Sequence, residues 1–285
     1  MHARLLQRLS QLELASQLSQ VHILNHASEQ ASHKPRLPPF SLRGVAHYTK
    51  ASQRSTIFPG LGDTSLNLSS FARALNLPET LRITLQGPTP LPFPLPEGFH
   101  WGDDLIVDQS SGDLEPDAGF SKSTELIRRE VIEKVLVSKC GFKLREIILF
   151  GFGQGGMAAL AIARALDGEL GGVISVGGRI PSTSMIVNGP KIKTPVLLLG
   201  GSKRFIASGE DVKSTKETFE HVEYHQWKKA DDSMPKNREE ALPMMQFFAW
   251  RLHSEKGRAK REYRAWLSHI KRRRGSSASL MTINF

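Results

Sequence analysis

One cysteine, Cys140, stands among the 285 residues, so no internal disulfide can form and the chain suits a reducing compartment. Nothing around Cys140 supplies the basic partner a reactive thiol needs, and packing at a helix end is its expected role. No apolar run approaches the ~18 residues that a membrane-spanning helix requires. No His/Cys cluster has zinc spacing, so neither a metal nor another cofactor is expected. Internal repeats are absent as well. What remains is 39% hydrophobic and 23% charged, ordinary for a globular α/β chain of one large domain with extensions.

Acidic charge is scarce in one place above all. Residues 251–274 hold ten Lys or Arg against Glu255 and Glu262, a net +8 within the overall +10. The high pI therefore describes the end of the chain and not its body. Tyr263 and Trp266 interleave with these cations, and Lys271-Arg272-Arg273-Arg274 is a compact run. A nucleic acid or an acidic partner at 251–274 is one expectation. A solvated helical extension whose Tyr263, Trp266 and Leu267 touch the domain is the other. Residues 1–34 are rich in Leu, Gln, Ser and His, with Leu5, Leu9 and Leu12 at helical spacing. Arg4 and Arg8 with Glu13 as the sole early acid give them some likeness to a mitochondrial presequence, beside the reading as a loosely ordered extension. Pro35-Arg36-Leu37-Pro38-Pro39 then forms a stiff break. The expected division is an extension over 1–39, an α/β domain over 40–252 and a basic tail over 253–285.

Within the domain, short apolar runs alternate with helical periods. Strands are predicted at 55–58, 81–85, 146–150, 172–176, 195–199 and 223–227, and helices at 122–139, 157–166 and 238–252. Gly172–Val176 and Pro195–Leu199 are continuously apolar, as strands covered on both faces are. The pattern predicts an α/β fold with a doubly wound, mostly parallel sheet and helices on both faces.

Strand 146–150 runs directly into Gly151-Phe152-Gly153-Gln154-Gly155-Gly156, and three readings compete there. A dinucleotide fingerprint needs an acid near the end of the next strand, where Val176-Gly177-Gly178 has none. A nucleophile elbow needs small residues flanking a strained central position, which Gly151 and Gly155 satisfy. A purely structural tight turn is the third.

Three segments together carry a resemblance. Pro59-Gly60-Leu61-Gly62-Asp63-Thr64, Trp101-Gly102-Asp103 and Gly151 to Gly156 occur in the order and spacing of the acyl-protein thioesterases and the phospholipase/carboxylesterase family of α/β-hydrolases. The likeness spans roughly residues 52–252. The segment Asp232-Ser233-Met234-Pro235-Lys236-Asn237-Arg238-Glu239-Glu240 resembles a fungal branch of that family. The resemblance implies an α/β-hydrolase fold, with the backbone N–H groups of Leu61 and Gln154 as an oxyanion hole and Pro59, Gly60, Trp101 and Asp103 lining the pocket.

It also implies a Ser-Asp-His triad, and here the sequence departs from it. Gly153 stands on the serine, Arg204 on the aspartate and Asp232 on the histidine, with Lys203 and Asp231 one residue away in register. His221 and His225 belong before or within the last strand, away from the elbow. Ser202 and Ser233 lie near the site but on no elbow. His100 with Asp103 and Asp104 is a candidate substitute base, set against loop capping by Asp and aromatic packing by Trp101. Ester hydrolysis needs an activated oxygen, a base and a group to orient that base, and all three positions have changed. The expectation is a non-catalytic binding protein of cytoplasm or nucleus, with an acyl or anionic ligand at the elbow and Arg204 paired with Asp232. A hydrolase with an unconventional site and an RNA-associated module are the alternatives.

Overall fold

The computed structural model describes residues 44–47, 53–58, 63, 65–75, 77, 80–107, 112–185, 189–202 and 209–253. A seven-stranded sheet forms the centre. Its strands are β1 (Gly44–His47), β2 (Gln53–Phe58), β3 (Thr80–Leu85), β8 (Ile147–Phe152), β9 (Gly172–Val176), β10 (Val196–Gly200) and β11 (Val222–Gln226). In space they run β1-β3-β2-β8-β9-β10-β11. All neighbours pair in parallel except β1, which lies antiparallel on β3. The order reverses direction at β2–β8, the switch point where open α/β sheets place their sites. Two small hairpins, β4–β5 (Thr89–Pro90 with Phe99–His100) and β6–β7 (Ile106–Val107 with Leu114–Glu115), separate β3 from the next helix.

The helices are α1 (Ser65–Ala74), α2 (Ser121–Leu126), α3 (Gln154–Ala165), α4 (Gly209–Thr218) and α5 (Arg238–His253). Two core clusters sit on opposite faces of the sheet. One joins Leu149, Val173 and Leu198 to Ile132, Leu136 and α3, and the other joins Ile148, Ile174 and Leu197 to Leu68, Ala72, Met244 and Phe248. This is the doubly wound α/β arrangement that the strand–helix alternation predicts, and it agrees with the α/β-hydrolase fold that the resemblance implies.

The predicted helix over 122–139 is real but changes type. After α2 it continues as a π-helix over Ile127–Lys139. Its buried residues Ile127, Val131, Ile132 and Leu136 include two pairs five positions apart, and the Cys140 N–H closes the end on Val135 O, the wider i→i+5 spacing. Cys140 is a free thiol, partly buried against the core at that helix end, the packing position expected for it. The helix predicted at 157–166 starts three residues earlier, at Gln154, because the glycines before Met157 already turn. Strand β1, α1, α4 and both hairpins were not anticipated.

No helix among the described residues is long and apolar enough to cross a membrane. The extensions over 1–39 and 254–285 lie outside the described residues, as do the expected helix over Leu5–Leu12 and the basic run 271–274.

Candidate functional site

Strand β8 delivers the elbow. Gly153 takes φ 51°, ψ −121°, a conformation reserved for a forced strand-to-helix turn. Its N–H donates to Val176 O at 2.8 Å, while its own carbonyl accepts the N–H groups of Gly156 (3.0 Å) and Met157 (3.2 Å). The flanking glycines are there because nothing larger fits. A Cβ on Gly151 would lie 2.2 Å from Gly155 O, and one on Gly156 2.3 Å from Ser175 Oγ. A Cβ on Gly153 would meet nothing within 4 Å among the described residues. No described residue crowds the central position, and it carries no side chain. The first amides of α3, those of Gln154 and Gly155, find no acceptor among the described residues, as helix N-termini commonly leave them.

The Gln154 side chain has a role that sequence reading missed, having assigned only its amide. It is 3% exposed. Its Oε1 accepts the Trp101 N–H at 2.8 Å and its Nε2 donates to Pro116 O at 3.2 Å. One amide thus ties the elbow to the bases of both hairpins. Trp101 is fully buried and its carbonyl accepts the Ser123 hydroxyl.

The substitute-base alternative meets a different geometry. Both Asp103 oxygens cap α2, accepting the Ser121 N–H at 2.8 Å and the Lys122 N–H at 2.7 Å. Asp104 accepts the Leu105 N–H. His100 is 2% exposed with no partner on Nδ1. Burial holds its imidazole below the ordinary histidine value, against smaller raising effects from the Gly102 backbone and Asp104. Loop capping and packing account for these residues. His221 and His225 are exposed, the first just before β11 and the second within it.

The far side of the site is built on glycine. Strand β9 is followed by Gly177-Gly178, and β10 ends on Gly200 with Gly201 next. A Cβ on Gly178 would fall 2.5 Å from Gly153 O, so this glycine abuts the elbow. A Cβ on Gly177 would fall 2.8 Å from the Asp232 Cβ, and one on Gly201 2.3 Å from Asp231 O. The 231–232 segment therefore lies flat on two strand ends. Gly201 N–H donates to Asp232 Oδ1 at 2.6 Å and Ser202 N–H to Lys229 O at 2.8 Å, zipping this loop to β10.

Lys229 holds the loop from beneath. Its ammonium donates to Ser233 O (2.6 Å), Met234 O (3.1 Å) and Glu240 Oε2 (2.9 Å), and lies 4.0 Å from the Trp227 ring centre. Burial pushes the Glu240 carboxyl up, but hydrogen bonds from Lys229, Lys236 and Asn237 outweigh it and hold the group below its usual value. Asn237 caps α5 through the Glu240 N–H at 3.0 Å. The Asp232–Glu240 motif thus reads as an anchor, a lysine cradle and a helix cap. Pro59, Gly60, Leu61, Lys203 and Arg204 lie outside the described residues, and so does the expected Arg204–Asp232 ion pair. No metal-binding group of three or more His, Cys, Asp or Glu occurs among the described residues.

A family model described as phospholipase/carboxylesterase matches residues 45–251. An uncharacterized hydrolase of Schizosaccharomyces pombe is 33% identical over 200 residues, covering 68% of this chain and 81% of that protein. The acyl-protein thioesterase 1 of Saccharomyces cerevisiae is 29% identical over 174 residues, covering 54% of this chain and 71% of its own. Among solved structures, Arabidopsis thaliana SOBER1 superposes with a TM-score of 0.57 at 17% identity, over 70% of this chain and 99% of that one. Zea mays acyl-protein thioesterase 2 gives 0.56 at 18%, over 74% and 99%.

Proposed function

The chain belongs to the phospholipase/carboxylesterase family of α/β-hydrolases, and on that premise we propose that it is a non-catalytic member that binds an acyl ligand at the elbow without turning it over. One observation carries the reading. Gly153 keeps the φ 51°, ψ −121° turn, uncrowded by any described residue, but offers no oxygen to attack a carbonyl. Without a covalent nucleophile, an oxyanion hole alone supports only residual catalysis, orders of magnitude below a complete triad. Asp232, where the resemblance puts the histidine, is a carboxylate already holding the Gly201 N–H. No imidazole stands at that position to take the proton of a nucleophile as general base.

In this reading the amides of Gln154 and Gly155 remain donors for a ligand oxygen. Trp101 and the two hairpins, tied down by Gln154, wall the pocket, with Pro59, Gly60 and Leu61 expected beside them. A cytoplasmic or nuclear place and an acidic or nucleic-acid partner for the basic tail belong to the same proposal. The test is hydrolysis of short-chain nitrophenyl esters by the unaltered protein beside the variant Gly153→Ser. Rates at the buffer background for the unaltered chain support the reading. Turnover of many equivalents that survives repurification refutes it in favour of a hydrolase with an unconventional site.

A further inference from the structure

Strand β3 buries polar atoms that bond to nothing. They are Nε and Nη1 of Arg82 and Oγ1 of Thr84. Arg82 is 6% exposed and Thr84 fully buried. A guanidinium keeps its proton in a folded protein, so burying Arg82 strands a positive charge as well as two donors. Desolvation pulls its pKa down, and no neighbouring acid pulls it back. An internal water would accept a hydrogen bond there but leave the charge uncancelled. An isolated buried charge destabilises a fold strongly.

The surroundings supply nothing negative. Leu81, Ile83 and Leu85 face the cluster around α3, so Thr80, Arg82 and Thr84 face the opposite side, which α1 covers with Leu68, Ala72 and Leu75. In the sheet, His47 of β1 and Ser55 of β2 pair with Arg82, while Val45 and Ile57 pair with Thr84. Strands β1, β2 and β3 and helix α1 contain no Asp or Glu. Two positions apart on one strand face, Arg82 and Thr84 are rooted ~6.6 Å from each other, close enough to donate to one small ion. Size and charge restrict that ion. Leu68, Ala72, Leu75, Thr80 and Thr84 are between 0% and 7% exposed, so a carboxylic acid would have to bury its tail among them. One guanidinium balances one negative charge, and a phosphate or sulfate dianion would leave an excess.

We propose that Arg82 and Thr84 form an internal site for a small monovalent anion, chloride in the first instance, held between β3 and α1. The site is separate from the elbow, since β2 stands between β3 and β8. The ion cancels the buried charge and stabilises the fold by mass action.

The experiment follows the melting temperature of the full chain as chloride replaces gluconate at constant ionic strength, together with the line width of the chloride resonance. Melting temperature is expected to rise with chloride, and the protein to broaden the resonance until bromide competes. Arg82→Met should lose both effects and, in gluconate, melt no lower than the unaltered chain, because it removes an uncompensated charge. Thr84→Val, nearly isosteric, should fold and need about tenfold more chloride for the same rise, the worth of one hydrogen bond to a charged group. Glu79, the acid nearest to Arg82 in sequence, lies outside the described residues, and Glu79→Gln should leave the chloride response unchanged. An unaltered chain indifferent to chloride in both measurements overturns the proposal. So does a response that both Arg82→Met and Thr84→Val retain. A loss of stability shared by Glu79→Gln and Arg82→Met, and no larger when they are combined, overturns it too, by giving the counter-charge to a side chain of the protein.

Discussion

Gln154 shows how one buried side chain can organise a site. Its amide satisfies the Trp101 N–H and the Pro116 carbonyl at once, in a place water does not reach. Replacing it with alanine strands both groups, and a buried unsatisfied partner costs ~1–3 kcal/mol. Gln154→Ala is therefore expected to lower the urea midpoint by that amount while far-ultraviolet circular dichroism stays native; an unchanged midpoint would show that the tie is dispensable. His100 offers a test by pH. Burial depresses its pKa, so the folded state favours neutral imidazole and its stabilising contribution is whole above the unfolded value of ~6.5. As pH falls below that value, the unfolded chain takes up a proton that the folded chain refuses, and stability drops. Melting temperature should decline from pH 7.5 toward 5.5, and His100→Phe should flatten that part of the profile. A profile equally steep in the variant would assign the decline elsewhere.

At the scale of elements, the site is held by caps and glycine contacts more than by long side chains. Helix α2 begins at Ser121 with no side-chain cap of its own. Asp103, eighteen residues back, supplies both oxygens. Asp103→Ala should cost about 1–2 kcal/mol, the usual worth of an N-cap, with Asp103→Asn recovering part of it; denaturant melts of the three proteins decide this. A cap acting from so far away is invisible to sequence windows, which is why Asp103 reads equally as a pocket acid. The elbow segment, matched at five of its six positions, was legible because it is local, fixed by the closeness of Gly151 to Gly155 and of Gly156 to Ser175. The floor formed by Gly177, Gly178 and Gly201 was not, since its meaning lies in the loop 231–232 that lands on it from another part of the chain. Strand β3 misleads in a different way. Thr80, Arg82 and Thr84 alternate with apolar residues as on a solvated face, yet the whole strand is buried. Polarity alone does not tell which face a neighbouring element will cover.

For the whole molecule, the alternation of apolar runs with helical periods sufficed to give a doubly wound sheet, because continuous runs such as Val196–Leu199 admit only burial on both sides. Arg251, counted with the tail by composition, is held by the domain, donating to Gly171 O and lying 3.8 Å from Glu169. Desolvation lowers its pKa, with Glu169 raising it to a smaller degree. Gly171 precedes β9, at the end of the sheet remote from the elbow, so α5 finishes on the side opposite the site. Deleting residues 254–285 should leave the melting temperature and any ligand affinity at the elbow unchanged. It should abolish whatever salt-dependent RNA retention the full chain shows. A fall of several degrees on truncation would mean that the tail packs on the domain.

The central claim concerns Gly153, and covalent trapping tests it most directly. The unaltered chain and Gly153→Ser are incubated with a fluorophosphonate and their intact masses compared. With no oxygen at the elbow, the unaltered chain should remain at its own mass. The serine variant, whose Cβ meets no described residue within 4 Å but takes on the strain of a positive φ, should fold and label slowly at most, because no imidazole activates it. Stoichiometric labelling of the unaltered protein would contradict the account, since it would place an activated nucleophile where none has been assigned.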